Sequence, residues 1–208
     1  MNNLSFNVTD TILLVDDDPA NLQILEATLE PLNINLAMAS NGEQALILAK
    51  EINPTLILLD VLMPNMDGYE TLEKLKENNY LDHGQVIFMS ALHSGENKAK
   101  GLKLGAVDYI GKPFVIDEVI VRLKIHLTIN RLTKQLKERN EQLYNTNQYL
   151  LEAVAEGVYG IDLAGNITFA NPAAYELTNY NENELIGHSF HKMHAPKKIN
   201  KKSYIYKN

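Results

Sequence analysis

The architecture of this chain is most easily inferred from one segment, which reads Leu56-Ile-Leu-Leu-Asp60-Val-Leu-Met-Pro64-Asn-Met-Asp-Gly68. Four apolar residues precede a single carboxylate, and a proline and a glycine mark the loop that follows. An apolar run of this length between turn residues predicts a fully buried strand. Asp60 then lies where that strand ends, at the edge where open α/β sheets bind their ligands.

The same alternation of a short apolar run with a helical pattern recurs along residues 11–114. The predicted strands are Thr11–Val15, Ile34–Ala39, Leu56–Leu59, Val86–Met89 and Val107–Ile110. Between them and after the last one lie the predicted helices Ala20–Leu29, Glu43–Ile52, Tyr69–Lys76, Asn97–Leu104 and a longer one from Ile116. Strict alternation predicts an α/β fold: a doubly wound, five-stranded parallel sheet with helices on both faces.

A long helix is predicted for the linker at residues 116–150, which contains neither glycine nor proline. Its apolar residues follow a 4-3-4 spacing at Ile125, Ile129, Leu132, Leu136, Leu143 and Leu150. Arg139 and Thr146 occupy the same seam. The pattern indicates either a homodimeric two-stranded coiled coil or a lone amphipathic helix folding back on its own domain.

The last part of the chain has a different sequence pattern from the predicted linker helix. Val158–Asp162 and Ile167–Phe169 are predicted to be strands joined by a hairpin turn, and a short helix begins after Asn171. This piece is too short for an independent core of ordinary stability, so we expect another chain to complete it or the segment to be loosely folded. Residues 197–208 are basic and are expected to form a disordered tail.

Composition narrows the class of protein. The 208 residues contain no cysteine, which excludes disulfides and thiolate metal sites. No apolar run approaches the roughly 20 residues of a membrane span, and no signal peptide is evident, so we expect a cytoplasmic protein. The formal net charge is −7, and residues 1–114 carry 16 acids against 7 bases. That acidity argues against nucleic-acid binding.

Polar residues follow four of the predicted strands. Asp16 and Asp17 follow the first, Asp60 the third, Ser90 the fourth and Lys112 the fifth. Clustered carboxylates repel each other, and a hard divalent cation such as Mg²⁺ removes that repulsion. An aspartate beside a cation, an ammonium and a hydroxyl predicts phosphoryl chemistry with an aspartyl phosphate. Each residue alone has a commoner explanation as a cap or turn residue, but their joint placement favours a site.

These motifs resemble those of response-regulator receiver domains, which have a CheY-like fold. The resemblance covers residues 10–127 and rests on Leu14-Val15-Asp16-Asp17-Asp18-Pro19, Asp60-Val-Leu-Met-Pro64-Asn-Met-Asp-Gly68, Met89-Ser90-Ala91 and Asp108-Tyr109-Ile-Gly-Lys112-Pro113-Phe114. It implies that Asp60 is the phospho-acceptor. It further implies that Mg²⁺ or Mn²⁺ is bound by Asp17 directly, by Asp16 mostly through water, by Asp60 and by the backbone carbonyl of Leu62.

The resemblance also implies roles for the residues around the acceptor. Lys112, before a cis Pro113, pairs with the phosphoryl group. Ser90 is the switch hydroxyl, and Tyr109 is the aromatic that swings inward when Ser90 moves. Leu62 and Leu92 occupy positions that admit or order the attacking water. Because both are apolar, we expect slow autodephosphorylation.

Residues 151–196 resemble the beginning of a PAS domain that is truncated before its remaining strands. The resemblance rests on Gly157-Val-Tyr-Gly-Ile-Asp162, Gly165-Asn-Ile-Thr-Phe-Ala-Asn171-Pro-Ala-Ala174 and Glu184-Leu-Ile-Gly187, with Leu151-Glu-Ala-Val154 before them. A PAS segment after a receiver suggests a signalling protein with several modules.

The function implied is that of a two-component response regulator, phosphorylated by a sensor histidine kinase or a phosphotransfer protein. Phosphorylation would change a partner surface or a dimer surface through residues 116–150. No enzymatic activity beyond self-phosphorylation and autodephosphorylation is expected. Two alternatives remain: the N-terminal fragment of a larger signalling enzyme, such as a hybrid histidine kinase or a diguanylate cyclase, and an interaction scaffold that works without phosphorylation.

Overall fold

The computed structural model describes residue 6 and residues 10–81, 84–91 and 95–193, without the side chains of 95–98 and 192–193. The chain divides into two compact units, Met1–Gln135 and Leu136–Asn208. The elements of the first unit are β1 (Thr11–Val15), α1 (Pro19–Leu29), β2 (Asn35–Ala39), α2 (Gly42–Ile52), β3 (Leu56–Asp60), α3 (Gly68–Glu77), β4 (Gln85–Ser90), α4 (Gly95–Leu104), β5 (Asp108–Gly111) and the start of α5 (Ile116–Ala153).

The sheet has the predicted doubly wound architecture. Its strands are all parallel and follow the order β2-β1-β3-β4-β5. Every residue of the central strand β3 is buried, as the continuous apolar run Leu56–Leu59 predicts. The fold class predicted from the sequence is therefore confirmed.

Two apolar cores cover the two faces of the sheet. Leu13, Ile57 and Phe88 point to the core shared with α2 and α3. Ile12, Leu58 and Ile87 point to the core that α1 and the first part of α5 complete. Alternate residues of the same strands thus supply both layers, because successive side chains of a strand point to opposite faces.

Local signals set the ends of the helices. Asp18 caps α1 by accepting the N–H of Ala20, and Pro19 occupies the first helical position. Beyond Leu29 the chain passes into a 3-10 turn at Glu30–Leu32, which contains Pro31. Asp67 caps α3 through the N–H of Glu70. These caps fix the directions in which the chain leaves the carboxyl edge of the sheet.

Several element boundaries differ by one to three residues from those predicted. β5 spans Asp108–Gly111 rather than Val107–Ile110, because Gly111 pairs with Ser90 and extends the ladder. α4 begins at Gly95, two residues before the predicted start at Asn97. α5 continues to Ala153, three residues beyond the predicted linker.

The second unit contains the predicted hairpin, formed by antiparallel β6 (Tyr159–Ile161) and β7 (Ile167–Ala170). The short helices α6 (Pro172–Thr178), α7 (Glu182–Leu185) and α8 (Phe190–Met193) follow. A small core of Ile167, Ala170, Ala174, Leu185 and Phe190 holds them together. The predicted basic tail at residues 197–208 lies outside the described residues.

A fully buried asparagine joins the end of α5 to this hairpin. The side-chain amide of Asn171 donates to the carbonyls of Leu151, Val154 and Glu156 at 2.9–3.3 Å. Its carbonyl oxygen accepts the N–H groups of Val158 and Ala174 at 2.8 and 3.0 Å. One side chain thereby satisfies backbone groups from three separate segments, which the buried backbone requires.

Candidate functional site

The candidate site lies at the carboxyl edge of the parallel sheet. Backbone hydrogen bonds continue past the strand ends: the N–H of Asp16 donates to Ala39, and the N–H of Lys112 donates to Ser90. These bonds hold the first residues after β1 and β5 as firmly as the strands themselves. Since all the strands point the same way, the residues that follow them converge on one edge.

Lys112 links two of the predicted carboxylates. Its Nζ lies 2.7 Å from Oδ2 of Asp16 and 2.7 Å from Oδ2 of Asp60. Both carboxylates are buried, with 0% and 4% of the residue exposed. Burial alone would lower the pKa of Lys112, but its contacts with the two carboxylates raise the pKa above its usual value. The ammonium is therefore held in its charged form.

The charge balance at Asp60 is different. Burial raises the pKa of Asp60 above its usual value, and the charge of Asp16 acts in the same direction. The ammonium of Lys112 and the N–H of Leu62, which lies 3.3 Å from Oδ1, act against this shift. The Asp60 carboxylate is thus poorly solvated, and the N–H of Leu62 and the ammonium of Lys112 stabilise its charged form.

The three carboxylates form a pocket that suits a cation. Asp16, Asp17 and Asp60 each offer an oxygen within 4.8 Å of the others. Oδ1 of Asp16 accepts the N–H of Asp18 and the side-chain amide of Asn21, both at 3.0 Å. Its buried Oδ2 faces the ammonium of Lys112 at 2.7 Å. The three carboxylates outnumber that one ammonium, so the cluster is acidic and offers only oxygen ligands, which fits a hard divalent cation.

A close-packed loop shapes the entrance to the pocket. The N–H of Gly68 donates to the carbonyl of Val61, which folds the intervening loop back on the strand end. A Cβ at Gly68 would lie 2.2 Å from the carbonyl oxygen of Asp60, so only glycine fits. Leu62 is 56% exposed at this loop. Leu92 lies outside the described residues, and slow autodephosphorylation stays a prediction.

Ser90 and Tyr109 lie where the two strands β4 and β5 approach the site. Ser90 is the buried last residue of β4, with 4% of its surface exposed. Tyr109 is already inside the protein: it is 8% exposed, its ring lies 5.3 Å from that of Phe88, and its hydroxyl lies 3.5 Å from that of Tyr69. Burial, with the Tyr69 hydroxyl beside it, raises the pKa of Tyr109, so the phenol stays neutral.

The sequence did not reveal three contributors to this region. Asn21 binds Asp16 from the first turn of α1, and its position five residues after the aspartate was the available signal. Gly101 makes room for Tyr109, because a Cβ at that position would lie 1.9 Å from the Tyr109 hydroxyl. Asp108 is held by Arg122 at 2.6 Å and by Nε2 of His126 at 3.0 Å.

Fold and site together define the class of CheY-like signalling domains. The family model described as "Response regulator receiver domain" matches residues 12–124, more than half of the chain. The chain therefore belongs to the response regulator receiver family. A second family model, described as "PAS fold", matches residues 147–198. Both resemblances noted in the sequence are confirmed.

Individual proteins support this assignment. The receiver domain of Francisella response regulator 1452 is 39% identical, with a TM-score of 0.54; the match covers 57% of this chain and 97% of that structure. A probable cyclic di-GMP phosphodiesterase of Vibrio cholerae is 36% identical over 140 residues, 67% of this chain but only 30% of that protein. The transcriptional regulatory protein SrrA of Staphylococcus aureus is 32% identical over 175 residues, 83% of this chain and 70% of SrrA.

Within the part of the chain that the structure describes, no helix combines the length and apolar character that crossing a bilayer requires.

Proposed function

We propose that Asp60 accepts a phosphoryl group and that this chain acts as a response regulator in a two-component phosphorelay. The observation that carries the proposal is the pair of contacts from Lys112 to Asp16 and Asp60, each 2.7 Å long, at the carboxyl edge of the sheet. They place a cation beside a buried carboxylate that has an acidic pocket next to it. This is the electrostatic arrangement that phosphoryl transfer to a carboxylate needs.

The proposed reaction moves one phosphoryl group between two nucleophiles. A carboxylate oxygen of Asp60 forms a bond to phosphorus while the bond from phosphorus to the donor's histidine nitrogen breaks. The nitrogen keeps the electron pair of the broken bond. The ammonium of Lys112 pairs with the oxygens of the transferred group, and the hydroxyl of Ser90 donates a hydrogen bond to one of them.

We propose that Mg²⁺ or Mn²⁺ is the cofactor. Asp16, Asp17, Asp60 and the backbone carbonyl of Leu62 would hold the ion. When bound, it supplies positive charge that offsets the negative charge of the carboxylates and of the phosphoryl oxygens. Asn21 and the N–H of Asp18 fix the orientation of Asp16, because both donate to the oxygen that does not face Lys112.

The partner that fits this chemistry is a sensor histidine kinase or a phosphotransfer protein, since a receiver family member takes its phosphoryl group from a phosphohistidine. We propose that the receiver occupies residues 10–127 and the linker helix residues 116–150. The PAS-like segment then occupies residues 151–196. In this arrangement the linker would pass the state of the receiver to the second unit.

The direct test is phosphorylation of the purified chain by acetyl phosphate with Mg²⁺, read by intact mass. We expect the mass to rise by one phosphoryl group in the wild type and in D67N, where asparagine preserves the cap of α3. D60N is expected to remain unmodified. An unmodified wild-type chain, or a D60N chain modified to the same extent, would contradict the proposal and would favour a phosphorylation-independent scaffold.

A second candidate is that this chain is part of a larger signalling enzyme. It is favoured by the match to the Vibrio cholerae protein, which is named for an enzymatic activity and of which the chain covers 30%. Such an activity would then reside outside the shared 140 residues. Incubation of this chain with cyclic di-GMP is expected to leave the dinucleotide intact, and its hydrolysis, measured by chromatography, would assign enzymatic activity to the chain itself.

A further inference from the structure

An apolar stripe runs along one side of α5. We call it the α5 stripe, and its members are Ile125, Ile129, Leu132, Leu136, Leu143 and Leu150. Each is between 44% and 62% exposed. Six large aliphatic side chains along one side of a helix, interrupted by Arg139 and Thr146, are an apolar surface of the kind that marks an interaction site.

The stripe is separate from the side of α5 that packs on the sheet. Val119, Leu123, Leu127 and Asn130 are buried and supply the receiver core from the first part of the helix. Ile125 and Ile129 lie between these residues in sequence but remain exposed. The receiver therefore uses one side of α5 and leaves the other side available.

The middle of α5 needs support from outside the described residues. All residues from Leu132 to Asn147 are exposed, so packing within the described part of the chain does not hold this stretch in a helix. Its composition is mixed: leucine, lysine, glutamate and glutamine favour a helix, whereas the asparagines and threonines, which cluster at 145–147, weaken it. Helices in proteins gain most of their stability from the packing of an apolar side, so we expect the α5 stripe to be covered.

We propose that a second copy of this chain covers the α5 stripe in a parallel, in-register, two-stranded coiled coil. In heptad notation, the a positions are Ile129, Leu136, Leu143 and Leu150, and the d positions are Ile125, Leu132, Arg139 and Thr146. The proposal rests on this surface and does not depend on phosphorylation of Asp60.

The flanks of the stripe favour a self-partner. From Thr128 to Tyr149 the e and g positions, which select partners by charge, are uncharged: Thr128, Thr133, Gln135, Asn140, Gln142, Asn147 and Tyr149. The other charged side chains of this stretch, among them Lys134, Lys137, Glu138 and Glu141, lie at b, c and f on the outside. Two identical helices therefore meet without flanking repulsion, and no flanking charge demands a different partner.

Arg139 and Thr146, the two polar residues of the seam, determine the relative orientation of the two helices and the strength of the dimer. In a parallel, in-register pair, Arg139 meets Arg139 and Thr146 meets Thr146. All the remaining layers of the seam are then wholly aliphatic. An antiparallel pair would set Arg139 against Leu136 and Thr146 against Ile129, and more layers would mix polar with apolar groups. The Arg139 layer also brings like charges together, which weakens the parallel dimer.

Association of the full chain tests the surface. Sedimentation equilibrium should show a dimer, and R139L should tighten it by about tenfold or more because a charged layer becomes aliphatic. K137L makes a similar change at a b position and should alter the dissociation constant by less than about twofold. L143K should weaken the dimer by at least about tenfold. A monomeric wild type with a monomeric R139L, or equal effects of R139L and K137L, would overturn the proposal.

Cross-linking tests the orientation. The chain contains no cysteine, so a single introduced thiol has one possible partner. L136C should form an intermolecular disulfide on mild oxidation, because equal a positions of parallel helices lie within disulfide reach. K137C, one residue away on the outside, should not. Absence of a cross-link from L136C in a dimeric sample, or equal cross-linking of both variants, would contradict a parallel, in-register pair.

Discussion

Three adjacent aspartates at the end of β1 show how strongly position decides the role of a residue. Asp16 is fully buried and contacts Lys112 and Asn21. Asp17 is exposed but directs a carboxylate oxygen to the acidic pocket. Asp18 caps α1. Within one tripeptide, the same residue type thus serves as a buried charge partner, a prospective cation ligand and a helix cap.

This difference leads to a prediction on cation binding. D17N should weaken Mg²⁺ binding by at least about tenfold, because it removes a charged oxygen from the pocket. D18N is the matched control: asparagine caps a helix as well as aspartate does, so its Mg²⁺ affinity should stay within about twofold of the wild type. Isothermal titration with MgCl₂ measures both. Equal losses in the two variants would mean that the run acts only through its total charge.

A second prediction concerns pH. Burial opposes the charge of Asp108, but the hydrogen bonds from His126, from the N–H of Tyr109 and from Arg122 outweigh it and lower the pKa of Asp108 below 3.8. The resulting stabilisation is present above pH 3.8 and is lost as the pH falls through the lower, folded-state value. Water screens these partly exposed groups, so D108N should cost less than about 1 kcal/mol at neutral pH.

Urea unfolding of the wild type and of D108N from pH 7 to pH 3 measures this difference. The gap in the free energy of unfolding should shrink as the pH falls below 3.8. E73Q, at an exposed carboxylate of α3, should leave the free energy of unfolding nearly unchanged throughout. A gap between wild type and D108N that widens as the pH falls below 3.8 would contradict the sign of the shift.

At the scale of elements, Gly101 of α4 lies directly against Tyr109 of β5. Gly101 lies under the hydroxyl of Tyr109, and a Cβ there would lie 1.9 Å from that hydroxyl and 2.8 Å from Cε2 of Phe88. The buried position of Tyr109 thus depends on the absence of a side chain on the neighbouring helix. This contact joins the aromatic cluster of the sheet to α4.

We therefore expect G101A to lower the free energy of unfolding by about 1–3 kcal/mol, as overpacking of a core does. Adding Y109F should recover part of that loss, because it removes the nearest clashing atom. Urea unfolding of G101A, Y109F and the double variant gives the coupling between the two sites. Additive effects would show that the hydroxyl is not the group that Gly101 accommodates.

Most of the strands and helices could be predicted from the sequence, because the signals that define them are local. The apolar runs at Leu56–Leu59 and Val86–Met89, and the caps at Asp18 and Asp67, depend only on neighbouring residues. The parallel order then brings the strand ends together without further information. The side-chain contacts between elements, such as that of Arg122 in α5 with Asp108 in β5, and the inward position of Tyr109 could not be predicted. They depend on distances of a few ångströms between a packed helix and a strand, which no periodicity encodes.

At the scale of the whole molecule, two proposed events are phosphorylation of the receiver and self-association through the α5 stripe. The family to which the chain belongs supports phosphorylation, and the stripe supports self-association. Since both involve the unit from which α5 emerges, we expect phosphorylation to change the dissociation constant of the dimer. A coupling of ordinary size corresponds to a change of about 5–150-fold.

Sedimentation of the full chain with and without beryllofluoride and Mg²⁺ tests this coupling. The wild type should change its dissociation constant on addition of the phosphoryl mimic, whereas D60N, which lacks the acceptor, should not. Equal dissociation constants for the wild type under both conditions would mean that the phosphorylated surface and the dimer surface are independent.

The buried amide of Asn171 has a mechanical consequence. Its side chain bonds one carbonyl in the last turn of α5, two carbonyls just after α5, the N–H group just before β6 and one N–H group of α6. We therefore expect a rotation of the last turns of α5 about the helix axis to move the hairpin with it. A single buried asparagine is thus the mechanical link between the end of the linker helix and the hairpin.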